Sequence, residues 1–325
     1  MQFAASTFHI PAWHWGILIG WFLALILIDL LVLHKKDHVV SIRRAVTESL
    51  VWIGLGVGLG IVFWILYGSS AGQQYFSGYI IEKSLSVDNV FAWAVILSYF
   101  AIPAKFQYRV LFWGIFGALL MRAVFIFAGI ALIEKFEIVF IVFAAALLFT
   151  GIKLILTKEK YEFDPGKSKL FAWFKRHIPL SHKQDGHNFF TVENGKRVAT
   201  VLFLCLIVIE VTDVIFAIDS VPAILAISRD PFIVFASNAA AILGLRSLYF
   251  VFAKMKDVFW LLTKALGILM IGIAVKMALA PHHLLGWDWV GLETPTTLNL
   301  AIISIVLIGA VVLSLVIPNP EEKKA

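Results

Sequence analysis

Apolar residues fill the chain in long blocks, separated by short polar stretches. A helix needs about 20 mostly apolar residues to cross the hydrocarbon core of a bilayer. Nine blocks reach that length, at 13–33, 46–67, 75–100, 108–132, 136–157, 198–224, 232–253, 259–280 and 296–317. The pattern predicts an all-α polytopic membrane protein with about nine transmembrane helices. The third and sixth blocks are marginal on hydropathy because they hold acidic residues.

Basic residues give these blocks an orientation, since Lys and Arg favour cytoplasmic loops. Lys35, Lys36, Arg43 and Arg44 follow the first block, and none lies between Gly68 and Gln74. Rich and poor connections then alternate to the end: Lys105 and Arg109, Lys135 alone, the basic segment 158–197, Arg229 alone, Lys254 and Lys256, none in 281–295, then Lys323 and Lys324. The alternation predicts an N-terminus outside and a C-terminus in the cytoplasm. It also supports nine blocks, because one missed or invented span would break it.

Composition agrees. Of 325 residues, 61% are hydrophobic and 15% charged, and the mean hydropathy is +0.91. Disordered chains, secreted disulfide scaffolds and cytosolic enzymes are excluded. The net charge of +6 reads as basic cytoplasmic loops rather than as a nucleic-acid surface. The one cysteine, Cys205, lies in an apolar block and reads as packing; an intrachain disulfide or a CxxC redox pair needs a second. The first block follows no positive charge and is too long for a cleavable signal.

Segment 158–197 is the one sizeable polar piece. It reads as loop with an amphipathic stretch, Leu170 to His177, suited to the membrane interface. Its histidines, His177, His182 and His187, read as solvated, as do His282 and His283.

The chemistry sits in an internal repeat. The third block reads Glu82-Lys-Ser-Leu-Ser-Val-Asp88-Asn89-Val90, and the sixth contains Glu210-Val-Thr-Asp213-Val-Ile-Phe-Ala-Ile-Asp219-Ser220-Val221-Pro222. Placing Asp88-Asn89-Val90 on Asp219-Ser220-Val221 sets Glu82 on Asp213. Downstream, Gly117 and Arg122 answer Gly244 and Arg246, and Thr150-Gly151-Ile152-Lys153 answers Ile271-Gly272-Ile273 and Lys276. Blocks three to five and six to eight are read as two copies of one unit. A unit of three spans is odd, so the second copy enters the membrane upside down, as in secondary transporters. The expected organisation is two N-terminal transmembrane helices in 1–74, a first three-helix repeat in 75–157, a cytoplasmic loop in 158–197, a second repeat in 198–280, and a last helix and tail in 281–325.

An acid at mid-bilayer costs about 3 kcal/mol or more unless paired or hydrated. Arg122, Arg246, Lys153 and Lys276 are the cations available in the apolar blocks, the two lysines lying near span ends. Residues six apart point to different sides of a helix, so Glu82 and Asp88 are expected on different faces, as are Asp213 and Asp219. Glu82, Ser86 and Asn89 share a stripe. Pro222 predicts a break in the sixth block near Asp219-Ser220, and symmetry extends a break to the third. Carboxylates, an amide, hydroxyls and carbonyls are hard oxygen donors that suit Mn²⁺, Mg²⁺ or Ca²⁺, and an acid-lined path also suits protons. Asn238 reads either as a ligand or as an interhelical hydrogen bond. Asp29 reads as an end-of-helix charge.

The strings EKSLSVDNVF, EVTDVIFAIDSVPAI, SNAAAILGLRSLYF and FTGIKL resemble the TerC family, in its Alx branch, grouped with LysE-type exporters. The resemblance covers about residues 12 to 280. It implies a bacterial inner-membrane protein, and members are linked to Mn²⁺ export, to alkaline pH and, by name, to tellurite resistance. The implied metal residues are Glu82, Asp88, Asn89, Glu210, Asp213 and Asp219. From the residues themselves, Ser220 and Asn238 are expected in support, and Arg122 and Arg246 are expected to neutralise the acids before cargo binds. The resulting expectation is no enzyme and no resident cofactor, but a Mn²⁺ exporter using protons as coupling ion. A tellurite or other oxyanion transporter and a membrane-bound redox modulator are the alternatives.

Overall fold

The computed structural model describes residues 10–29, 41–136, 138–156, 181, 186, 188–193, 195–252, 260–279, 282–284, 287–289 and 295–317. Their helices are α1 (Ala12–Ile28), α2 (Ile42–Tyr99), α3 (Ala104–Lys135), α4 (Ile138–Leu156), α5 (Val201–Leu225), α6 (Pro231–Leu243), α7 (Leu245–Phe252), α8 (Trp260–Leu279) and α9 (Thr296–Val316). Six of them are long and apolar enough to cross a membrane, and α6 with α7, bent by 42° at their junction, makes a seventh. Helix is the expected answer for such sequences, because lipid offers the backbone no hydrogen-bond partner.

The 58-residue α2 is interrupted at Gly68, whose φ of 88° and ψ of 174° are non-helical. Glycine reaches that conformation without a Cβ penalty. The two halves then run back along each other. Tyr75 Oη donates to the Gly56 carbonyl at 2.9 Å, and a Cβ at Gly56, Gly60 or Gly72 would strike Tyr79, Phe76 or Trp64 respectively. These small residues let the halves approach closely.

Side chains are distributed inside out. Large apolar residues such as Ile65, Phe149 and Ile305 face outward, while Glu82, Asn89, Arg122, Asp213, Asn238 and Arg246 are buried. Three apolar clusters hold the bundle. One joins α4, α8 and α9 to the C-terminal parts of α3 and α5. A second lies between the end of α2, the start of α3 and α5. A third joins α1, the first half of α2 and α6. Helices α4 and α8 cross at facing glycines: a Cβ on Gly151 would lie 2.8 Å from the Gly267 carbonyl oxygen, and one on Gly267 2.9 Å from that of Gly151.

Three expectations change. Helix α5 runs unbroken past Asp219 to Leu225 with Pro222 inside it. Pro222 forfeits only the bond to Ile218 within the last two turns, a loss that a neighbour-packed membrane helix tolerates. The second half of α2 is likewise unbroken around Asp88. The break falls instead at Gly244, between α6 and α7. Segment 158–197, read as loop, includes a hairpin of β1 (Phe190–Glu193) and β2 (Lys196–Ala199), turning through Gly195 at φ 74°. A second hairpin, β3 (His282–Leu284) and β4 (Trp287–Trp289), holds the backbone of His282 and His283. The stretch Leu170–His177 and His182 and His187 lie outside the described residues.

Candidate intramembrane cation site

The stripe on α2 faces inward as spaced: Ser86 Oγ donates to Glu82 Oε1 at 3.3 Å, and Asn89 Nδ2 reaches across to Asp213 Oδ1 on α5 at 3.2 Å. Arg122 of α3 lies between the two acids. Its Nη1 pairs with Glu82 Oε1, its Nη2 is 3.5 Å from Asp213 Oδ1, and Nη1 also donates to Ser220 Oγ at 3.1 Å. Asn238 of α6 donates to Glu82 Oε2 at 2.9 Å, so it acts as an interhelical hydrogen-bond donor. Glu82, Arg122 and Asp213 are almost fully buried.

This network is short of positive charge. Two carboxylates share one guanidinium, for a formal sum of −1, and Asp213 Oδ2 has no partner among the described residues. Burying unbalanced charge in low dielectric is costly, so the arrangement favours any further cation or proton that reaches it. Lys83, the next residue on α2, turns away and donates to the Ala241 carbonyl at 2.9 Å.

The contacts between α2 and α5 are antiparallel. Glu82 shares Arg122 with Ser220, while Asn89 meets Asp213, seven residues on in one helix and seven back in the other. Asp219 therefore lies at the level of Glu82, and Asp88 at the level of Asp213. At 1.5 Å per residue the two levels are about 9 Å apart. Both outer acids turn toward the crossing of α4 and α8. Thr150 Oγ1 of α4 donates to Asp219 Oδ1 at 2.9 Å, and Thr263 of α8 hydrogen-bonds Asp88. Lys153 lies close enough to Asp219 to act on it electrostatically, and Lys276 donates to the Ala226 carbonyl at the end of α5. Glu210 occupies a notch on α3 that exists because residue 117 is glycine; a Cβ there would overlap its carboxylate.

The six acids and amides singled out above thus divide. Glu82, Asn89 and Asp213 meet; Asp88, Asp219 and Glu210 stand around them. Among the described residues no three His, Cys, Asp or Glu side chains are close enough to hold one metal ion together. Arg246, expected among these acids, lies elsewhere: it pairs with Asp29 at one end of the bundle. Lys83, Thr150 and Thr263 were not singled out as site residues. An intramembrane lysine beside Glu82 was a readable signal; the threonines, common in membrane helices, gave none.

The fold and site define a polytopic helical membrane protein with a buried, charge-unbalanced polar network. The chain matches the model of the integral membrane protein TerC family over residues 67–322, and it belongs to that family. It is 42% identical over 302 residues to a Myxococcus xanthus membrane protein, STKORF319, covering 93% of this chain and 92% of the relative. It is 36% identical over 306 residues to a Salmonella typhi protein provisionally named membrane-bound redox modulator Alx, covering 91% and 92%. The Escherichia coli K12 protein of that name is 40% identical over 265 residues, covering 79% and 82%. No solved structure matches the chain.

Proposed function

We propose that the protein is a divalent metal cation transporter of the bacterial inner membrane, exporting Mn²⁺ by alternating access. The observation that carries the reading is the buried −1 network of Glu82, Asp213 and Arg122, with Asp219 beside it at the level of Glu82 and Asp88 beside it at the level of Asp213. Hard oxygen donors on two levels suit a hydrated divalent ion that steps between them. In this reading Arg122 stands in for the cargo until the cation displaces it.

The proposed architecture has nine crossings. The two halves of α2 count as two, α6 with α7 as one, and α1 as one. The two copies are inverted, with the N-terminus outside. The antiparallel contacts support that inversion, because exchanging the two copies turns the pairing of Glu82 with Ser220 through Arg122 into that of Asn89 with Asp213. Proton exchange supplies the drive, since carboxylates shed protons to bind metal.

An oxyanion would need Arg122 as its ligand, and that guanidinium is already committed to two carboxylates. A thiol-based redox role would need access to Cys205, which is buried on α5 in the cluster it forms with the end of α2, the start of α3 and α7. The test is cellular manganese after a Mn²⁺ challenge, in cells lacking their own exporters, with the intact chain, Asp88→Asn or Asp219→Asn. Lower manganese with the intact chain and none of that effect in either variant is the expected result. Equal manganese with and without a verified, membrane-inserted chain sinks the reading.

A further inference from the structure

Outside the central network the described residues hold one other buried ionic cluster that ties several helices together. Asp29 caps the end of α1 and pairs with Arg246 of α7; both are less than a tenth exposed. The Arg246 guanidinium lies 3.9 Å from the centre of the Tyr108 ring, near the start of α3. The next residue, Ser247, donates to Glu48 Oε2 at 3.3 Å, and Glu48 also accepts from Arg44 Nε at 2.8 Å. The end of α1 and the beginnings of α2 and α3 therefore converge on the short helix α7.

Beside this cluster lies a cavity of about 10 Å³, lined by Asp29 and Arg246 and by apolar groups including Ile26, Leu119 and Leu243. It has room for about one water. Leu119 is one turn before Arg122 on α3 and Leu243 lies shortly after Asn238 on α6, so two of the helices that line the cavity also carry members of the central network.

The bend at Gly244 divides α6 from α7 just here. On its central side α6 is held by consecutive residues of α2: Glu82 accepts from Asn238, and Lys83 donates to Ala241. On its far side α7 is held by Asp29 and Glu48. Gly244 is packed against both halves of α2, since a Cβ there would lie 2.7 Å from Trp52 Cβ and 3.1 Å from Lys83 Nζ. One element thus has its two ends in two charged clusters with a break between, which is the form of a hinged, two-state part.

We propose that Asp29 and Arg246 are a latch that shuts this end of the bundle, and that α7 swings on Gly244 to open the cavity toward the central network. Its purpose, access for cargo, rests on the transport reading; the latch itself does not. A cation that takes Glu82 from Arg122 and Asn238 loosens α6 and, through the hinge, the latch. By the orientation inferred from Lys and Arg placement, this end faces the cytoplasm.

The test places a reporter Leu119→Cys in a Cys205→Ser background and measures its modification by a membrane-impermeant maleimide in inverted vesicles, with no metal added. Asp29→Asn and Arg246→Gln are each expected to speed labelling about tenfold or more. The double variant is expected to be no faster than the singles, because the pair opens once. Unchanged labelling in both singles, or rates that multiply in the double, overturns the latch. If the singles fail to insert, Glu48→Gln and Ser247→Ala, which release α7 from α2 at the same end, replace them: each is expected to speed reporter labelling several-fold. Unchanged labelling in both overturns the proposal. A chain that labels as expected but moves no metal keeps the latch and loses the transport reading.

Discussion

Arg122→Met separates a network built around charge from one that only packs. Methionine keeps the length of the stem and removes the guanidinium. At an effective dielectric constant of about 20, unit charges 3.5 Å apart attract by about 5 kcal/mol, and that is the distance from Arg122 Nη2 to Asp213 Oδ1. Desolvation of the buried ions offsets much of this gross figure. Removing one partner from a buried pair nevertheless costs about 3–5 kcal/mol, because the remaining charge stays behind. Here two carboxylates would remain, held only by Ser86, Asn89 and Asn238. The double variant Arg122→Met/Glu82→Gln removes the charge on both sides. It is therefore expected to recover about 1–3 kcal/mol relative to the sum of the singles. The assay is equilibrium unfolding in mixed detergent micelles, run as a double-mutant cycle. Additivity within about 0.5 kcal/mol would mean that Arg122 and Glu82 do not interact energetically, and the stand-in role for Arg122 would fall with it.

Gly151→Ala sets a Cβ 2.8 Å from the Gly267 carbonyl oxygen, and backbone must move to accept it. A loss of about 1–3 kcal/mol is expected, against under about 0.5 kcal/mol for Gly272→Ala, where nothing lies within 4 Å; thermal melting of the two purified variants checks it. Gly117→Ala expels the Glu210 carboxylate from its notch. Its manganese export is expected to fall as far as that of Glu210→Gln, with the double variant no lower; full export by Gly117→Ala would remove Glu210 from the pathway.

Much of the site is readable along the chain because intramembrane acids are expensive enough to stand out. The three- and four-residue spacing of Glu82, Ser86 and Asn89 marked an inward stripe, and helix geometry sent Asp88 to another face. Partner choice was not readable. Arg122 and Arg246 each follow a glycine within a few residues and look equivalent in sequence. Only the packing of α1 against α6 and α7 assigns Arg246 to Asp29. Pro222 misled because its local cost is small where the helix is about to end. Gly244 gave no warning because a glycine inside an apolar block is ordinary in membrane helices. What bends the chain there is where the two sides are held: Asn238 to the centre, and Arg246 and Ser247 to the end.

The fold-back of α2 at Gly68 bears on how the chain enters the bilayer at all. Its first half has no charged residue from Leu50 to Tyr67, whereas its second carries Glu82, Lys83 and Asp88. During biogenesis the second half would pass from the translocon to lipid before Asp213 is synthesised to meet it and before the helix that carries Arg122 has followed it in. Joined through one residue and zipped by Gly56, Gly60 and Gly72, the two halves can partition as a single helical hairpin. The greasy arm then carries in the polar one, which acquires its proper partners only when the rest of the chain arrives.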